Sequence, residues 1–271
     1  MITVENYSFS YSDSKTPTFT PLSLSIDIGD VLLLRGSTGS GKSTLLKSIN
    51  GLIPHHCGGK FSGTIKVDGR DVANAKPSHL ARKIGYVPQN PFYGFVTDSV
   101  EDEIAFSLEA HGYPRTAMEE RVEDLLAEFG LAHLRERSPF KLSTGEAQKL
   151  SIAAAVAVAP DYLLLDEPTS ALDHKTTREV LEFIQKFSAR GGVVIAEHRF
   201  SAVQSIATAE RVLGDDRDSP YPLSKLHNAT VIVGDNGSGK TTYLEKYVYQ
   251  NSSTVGFVPQ NPSDVLLTQS I

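Results

Sequence analysis

Residues 31–44 read VLLLRGSTGSGKST. Val31, Leu32, Leu33 and Leu34 form a continuous apolar run, short enough for a buried strand and too short for a helix. The run leads into Gly36, Ser37, Thr38, Gly39, Ser40, Gly41, Lys42 and Ser43, which spell G-x-x-x-x-G-K-S, followed by Thr44. Glycines at these places let backbone N–H groups turn inward on phosphate oxygens. Lys42 can then reach the β/γ-phosphates, and the Ser43 hydroxyl can ligate Mg²⁺. A helix read over 42–50 adds its positive N-terminal end to the same spot. Strand, glycine turn and helix together predict a cradle for a nucleoside triphosphate.

The cradle occurs twice. GSTGSGKST at 36–44 returns as GDNGSGKTT at 234–242, and GYVPQNP at 85–91 returns as GFVPQNP at 256–262. The displacements are 198 and 171 positions, so the second copy is 27 residues shorter between its landmarks. The sequence predicts one long module over 1–213, a polar Pro-bearing linker at 214–221 (GDDRDSPY), and the opening of a second module over 222–271. The chain ends where the second copy's next helix would begin. Its 50 or so residues are too few to enclose a core of their own, and the expectation is a fragment of a longer tandem protein.

Between these landmarks, helical patterns fall at 99–111, 116–129 and 144–159. Strand-like runs fall at 64–67, 162–165 and 193–196, the last two as continuous apolar stretches. Alternating strands and helices predict an α/β fold with a mostly parallel sheet.

Composition excludes some classes of function. The 26 Lys+Arg against 32 Asp+Glu give a net charge of −6, with no basic field to hold a nucleic-acid backbone. A single Cys allows no internal disulfide. No apolar stretch reaches the roughly 18 residues of a membrane span, and no charged-then-apolar leader follows Met1. Any service to a membrane is expected to run through a partner.

Two further stretches carry chemistry. YLLLDEP at 162–168 is an apolar strand ending in two carboxylates. Asp166 at the tip can hold Mg²⁺, and Glu167 can orient and polarise an attacking water. LSTGE at 142–146 places Ser143 and Glu146 at capping-box spacing, and a helix start with free N–H groups, a hydroxyl and Gly145 also suits an anion. His55, His56 and Cys57 invite a metal reading, but three adjacent residues in a Gly-rich loop rarely converge on one ion.

The motifs GSTGSGKST, VPQNP, LSTGE, LLLDEPTSALD and EHR, in this order, closely resemble those of the ABC ATPases, over essentially all of 1–213. The resemblance implies a P-loop NTPase fold with a mostly parallel sheet, an antiparallel β subdomain and a helical subdomain, using ATP and Mg²⁺. It implies that Gln89 contacts Mg²⁺ and the water, that Asp173 speaks across a pair of modules and that His198 grips the γ-phosphate. Tyr11 would stack on adenine. ATP would lie between one module's cradle and the Ser143–Gly145 turn of another, paired in cis or as a homodimer. Thr144 and Glu146 depart from the commonest signature, which has Gly and Gln there. In the second copy, Gly239, Lys240 and Thr241 match the cradle and Gln260 the glutamine, but the other motifs are missing. That copy is not expected to hydrolyse ATP alone.

NGLIPHHCGG with SGTIKVDGRD, and TDSVEDEIAF at 97–106, are similar to the ATPases of energy-coupling-factor importers for vitamins or metal ions. That likeness implies a cytoplasmic subunit held peripherally at the membrane by transmembrane subunits. These would dock near Gln89 to Glu103, where Glu101, Asp102 and Glu103 would meet cationic helices. An ordinary helix start also favours acids in its first turn. Two rival readings stand beside this one, and the first would share every hydrolytic residue. They are a soluble ABC ATPase of repair or translation, and a nucleotide-binding regulator that does not hydrolyse.

Overall fold

The computed structural model describes residues 1–14, 16–198 and 202–214, which fall within one compact unit, Met1–Gly214. The linker and second-copy residues, including Gly239, Lys240, Thr241 and Gln260, lie outside the described residues.

The elements run β1 (Ile2–Tyr11), β2 (Leu22–Ile26), β3 (Val31–Arg35), α1 (Lys42–Ile49), α2 (Leu52–His55), β4 (Gly59–Val67), β5 (Arg70–Asp71) and α3 (Pro77–Leu80). They continue with β6 (Ile84–Val87), α4 (Val100–Ala110), α5 (Arg115–Glu128), α6 (Thr144–Val156), β7 (Tyr162–Asp166), α7 (His174–Ser188), β8 (Gly192–Ala196) and β9 (Ala209–Val212). A parallel sheet has the order β6-β7-β8-β3-β9, and a separate antiparallel sheet has the order β2-β1-β4-β5.

Every residue of β7 and β8 is buried, as a central parallel strand covered on both faces requires. Alternate side chains serve opposite faces. Leu33, Leu163, Leu165, Val193 and Ile195 join the core under α4 to α7. Leu32, Leu34, Tyr162, Leu164 and Val194 join the core shared with α1 and the antiparallel sheet. In α7, Val180, Phe183, Ile184 and Phe187 recur at helical spacing and are the buried face. Burying each of these side chains contributes about 1.5–3 kcal/mol. β1 and β4 pair from Ile2↔Val67 to Tyr11↔Gly59, with a bulge between Glu5 and Ser8.

The predicted strands and helices are found within a few residues of their expected bounds. The largest shift is at 64–67, where β4 begins five residues earlier, at Gly59; at 144–159, α6 stops at Val156 and Ala159 turns left-handed (φ 51°). The cause of that stop is Pro160, which disfavours helical geometry in the residue before it.

Candidate functional site

The parallel sheet brings the chemistry-bearing residues to one edge. The 36–41 loop leaves the C-terminal end of β3, Gln89 follows β6, Asp166 and Glu167 end β7, and His198 follows β8. Crevices beyond the carboxyl ends of such strands are where open α/β sheets bind ligands.

The loop is tightly held. Gly36 (φ +148°) and Gly41 (φ +93°) occupy conformations that side chains rarely adopt. A Cβ on Gly36 would sit 2.6 Å from Ser40 Oγ, and one on Gly41 would sit 2.5 Å from the Phe19 ring. Lys42 is buried, and its ammonium donates to the carbonyls of Gly36 (2.7 Å) and Ser37 (3.1 Å). Burial lowers the Lys42 pKa, while Glu167, Asp166 and Glu197 pull against that shift. The Ser40 hydroxyl is buried without a hydrogen-bond partner.

Ser43 Oγ donates to Asp166 Oδ1 at 3.0 Å. Asp166 is buried, and desolvation raises its pKa although the Ser43 hydrogen bond opposes this. Glu167 has φ +48°, a left-handed backbone uncommon for a residue with a side chain. Its N–H donates to Ala196 O at 2.8 Å, and its carbonyl accepts from Ser170 N and Oγ. The Gln89 amide donates to Glu167 Oε2 at 2.8 Å. Backbone strain held by such contacts is characteristic of functional positions. Tyr11 is 40% exposed, packs edge-on against Phe9, and its hydroxyl lies 3.0 Å from Thr44 Oγ1. His198 is exposed.

Ser143 and Gly145 stand apart from this cluster, at the start of α6. Ser143 caps that helix with Glu146 in a complete capping box: Ser143 Oγ accepts from Glu146 N (3.4 Å) and Glu146 Oε2 accepts from Ser143 N (2.8 Å), and Ser143 Oγ also donates to Glu146 Oε2 (2.7 Å). These bonds hold the Glu146 pKa low. A Cβ on Gly145 would lie 3.2 Å from Thr176, whose hydroxyl donates to Asp173 at 2.9 Å. Asp173 is itself the N-cap of α7, accepting from Lys175 N and Thr176 N.

Glu146→Ala is expected to cost about 1 kcal/mol, the usual worth of a helix cap. Because the folded-state pKa is depressed, the difference in Tm should be full above the unfolded carboxylate value. It should vanish as pH falls through the folded value. Thermal melts of both proteins across acid pH check it.

Within the acidic turn of α4, Glu103 departs from its expected role. Glu103 is buried and accepts from Val96 N, Thr97 N and Thr97 Oγ1. Its charge is spent on the preceding loop and cannot meet a partner's cations. Glu101 bridges Arg135 at 3.0 Å, and Asp102 accepts from the Ser99 hydroxyl at 2.6 Å. The surface beside them is apolar, with Tyr93 (86% exposed), Val96 (64%) and Phe140 (58%). His55 turns its ring to Val72 O.

Sequence reading missed Glu197, which is wholly buried between the Thr169 side chain and the His198 amide. It also missed Tyr86, whose buried hydroxyl has its pKa raised by desolvation and then by Asp166. The position of Glu197 next to His198 was the available signal.

A family model described as ABC transporter matches residues 19–170. A Streptomyces coelicolor protein named as an ABC transporter ATP-binding protein is 40% identical over 222 residues, 81% of this chain and 39% of its own length. The chain thus spans about two fifths of that relative. The energy-coupling factor transporter ATP-binding protein EcfA1 of Enterococcus faecalis is 38% identical over 79% of this chain and 75% of that protein. The structure of cbiO1 from Clostridium perfringens, described as part of the ABC transporter complex cbiONQ, superposes with a TM-score of 0.68. It is 26% identical over 93% of this chain and 94% of that one. Among the described residues, no helix is long and apolar enough to cross a membrane. The chain belongs to the ABC transporter family and carries its ATP-binding module.

Proposed function

We propose that this chain hydrolyses ATP with Mg²⁺ at the β3, β7 and β8 strand ends, by closure of paired modules, and passes that closure to a membrane importer of the energy-coupling-factor kind. The observation that carries the reading is the placement of Glu167. Its backbone is held left-handed by Ala196 and its carboxylate by Gln89, beside the Ser43–Asp166 pair.

The residues present suit Mg·ATP. The buried Ser40 hydroxyl lacks a partner, and the Lys42 ammonium is met by two neutral carbonyls. Ser43, Asp166 and Gln89 offer hard oxygens, the donors Mg²⁺ takes when phosphates complete its shell. Bound Mg·ATP supplies the phosphoryl group to be transferred and a cation that draws charge from it.

In this reading Lys42 and the loop amides hold the phosphates, with Tyr11 under the base. Glu167 polarises a water and takes its proton, Gln89 keeps the carboxylate aimed, and His198 donates to the γ-phosphate. The Ser143–Gly145 turn serves a second module's nucleotide. Glu146 occupies the Ser143 hydroxyl that this service needs, so Glu146→Gln is expected to ease ATP-driven closure.

The importer reading is supported by the likeness to EcfA1 and cbiO1 and by the apolar patch around Tyr93 and Val96. That patch, with the segment Gln89 to Glu103, is where membrane subunits would dock. The tandem reading, with a second module from 222 onward, is supported by the repeated cradle and by a relative more than twice as long as the matched stretch.

Light scattering on the Glu167→Gln chain, with and without Mg·ATP, tests closure. A doubled mass with ATP is expected if the first module pairs with itself. A one-chain mass with ATP bound would assign closure to the second module in cis, and failure to bind ATP would overturn the reading.

A further inference from the structure

Glu197 is fully buried, although the strand it follows, β8, is apolar throughout and could have ended in another apolar residue. Burying a carboxylate is costly unless hydrogen bonds compensate it. Among the described residues they come from Thr169 and His198. Oε2 accepts from Thr169 Oγ1 at 2.7 Å and from Thr169 N at 3.4 Å, and Oε1 accepts from the His198 N–H at 3.0 Å. The Glu197 N–H donates to Leu34 O at 3.1 Å, at the end of the strand that feeds the phosphate loop. One side chain therefore spans the loop between Glu167 and Asp173, and the backbone of His198.

We propose that Glu197 is a positioning residue that fixes the His198 backbone from Thr169, so that the loop leading to Asp173 and the histidine move as one piece. This rests on the hydrolytic reading above. Glu197 touches neither nucleotide nor water in this role; it acts through His198. A residue that merely plugged the core would lower stability, nucleotide affinity and turnover together. A positioning residue lowers turnover selectively, because the interaction it secures matters most in the transition state.

Thr169→Val removes the hydroxyl donor at constant shape, and Thr169→Ser restores it. With saturating ATP, turnover of the Val variant is expected to fall about tenfold, the worth of one hydrogen bond to a charged group. Calorimetric affinity for the non-hydrolysable analogue AMP-PNP should change by less than about twofold, and the Ser variant should match the parent. Glu197→Gln should slow turnover comparably, and adding Thr169→Val to it should cost little more.

A second readout does not depend on turnover. Amide hydrogen exchange at His198 should quicken in the Val variant and return to the parent rate in the Ser variant. Unchanged exchange at His198, or a Ser variant as impaired as the Val variant, would overturn the proposal. A parent chain that binds ATP without hydrolysing it would overturn the hydrolytic reading instead, and the exchange rates alone would then decide the link between Thr169 and His198.

Discussion

Glu167→Gln is expected to retain ATP binding and to lose turnover by about 10²–10⁴-fold, the usual contribution of a positioned general base. The amide keeps the size of the side chain and can still meet Gln89, whose amide lies 2.8 Å from Glu167 Oε2. The left-handed backbone at 167 is fixed by the bond to Ala196 O and is independent of side-chain charge. Folding and the phosphate loop should therefore be spared, and only the ability to take a proton from water is removed. Single-turnover assays beside equilibrium ATP binding check this. Turnover within a few-fold of the parent would mean that another group activates the water. The candidates would then be narrow, because Asp166 is buried and bonded to Ser43.

Lys42→Ala is expected to lose both binding and turnover. Lys42 is buried, and its ammonium already hangs over the loop from Gly36 O and Ser37 O, so little reorganisation separates this arrangement from one that meets phosphate. Hydrogen bonds to charged groups are worth about 1.5–3 kcal/mol, and losing one such bond weakens ATP binding by about 10–100-fold. Turnover should fall further, since charge on the transferred group grows in the transition state. Calorimetry and phosphate release measure the two losses. Binding and turnover near the parent's would place the working cradle elsewhere in the chain.

Local chemistry made much of the fold and the site legible. The run 31–34 with its glycines announced β3 and the loop, and 162–165 with its two acids announced β7, because a strand, a tight turn and a helix start each depend on a few adjacent residues. Ser143 was readable as a cap for the same reason and is a cap in the structure.

What stayed hidden depends on residues far apart in sequence. The pairing of Ile2 with Val67 sets the antiparallel sheet, and neither strand signals its partner. Helix α7 was passed over although Val180, Phe183, Ile184 and Phe187 carry its period. Glu103 reads as one of three surface acids, and only the turn at Val96 and Thr97 draws it inward. The left-handed backbone of Glu167 had no sequence mark, since Glu is not a residue that favours it.

The contact between Gly145 and Thr176 changes how a familiar kind of experiment would be interpreted. A methyl group at 145 would press on Thr176, and Thr176 holds Asp173 by its hydroxyl. Loss of activity after a substitution at 145 would then mix two injuries, one to the turn proposed to serve another module's nucleotide and one to the cap of α7. Pairing each such variant with Thr176→Ser, which relieves the crowding and keeps the hydroxyl, separates damage at the turn from damage passed to its neighbour.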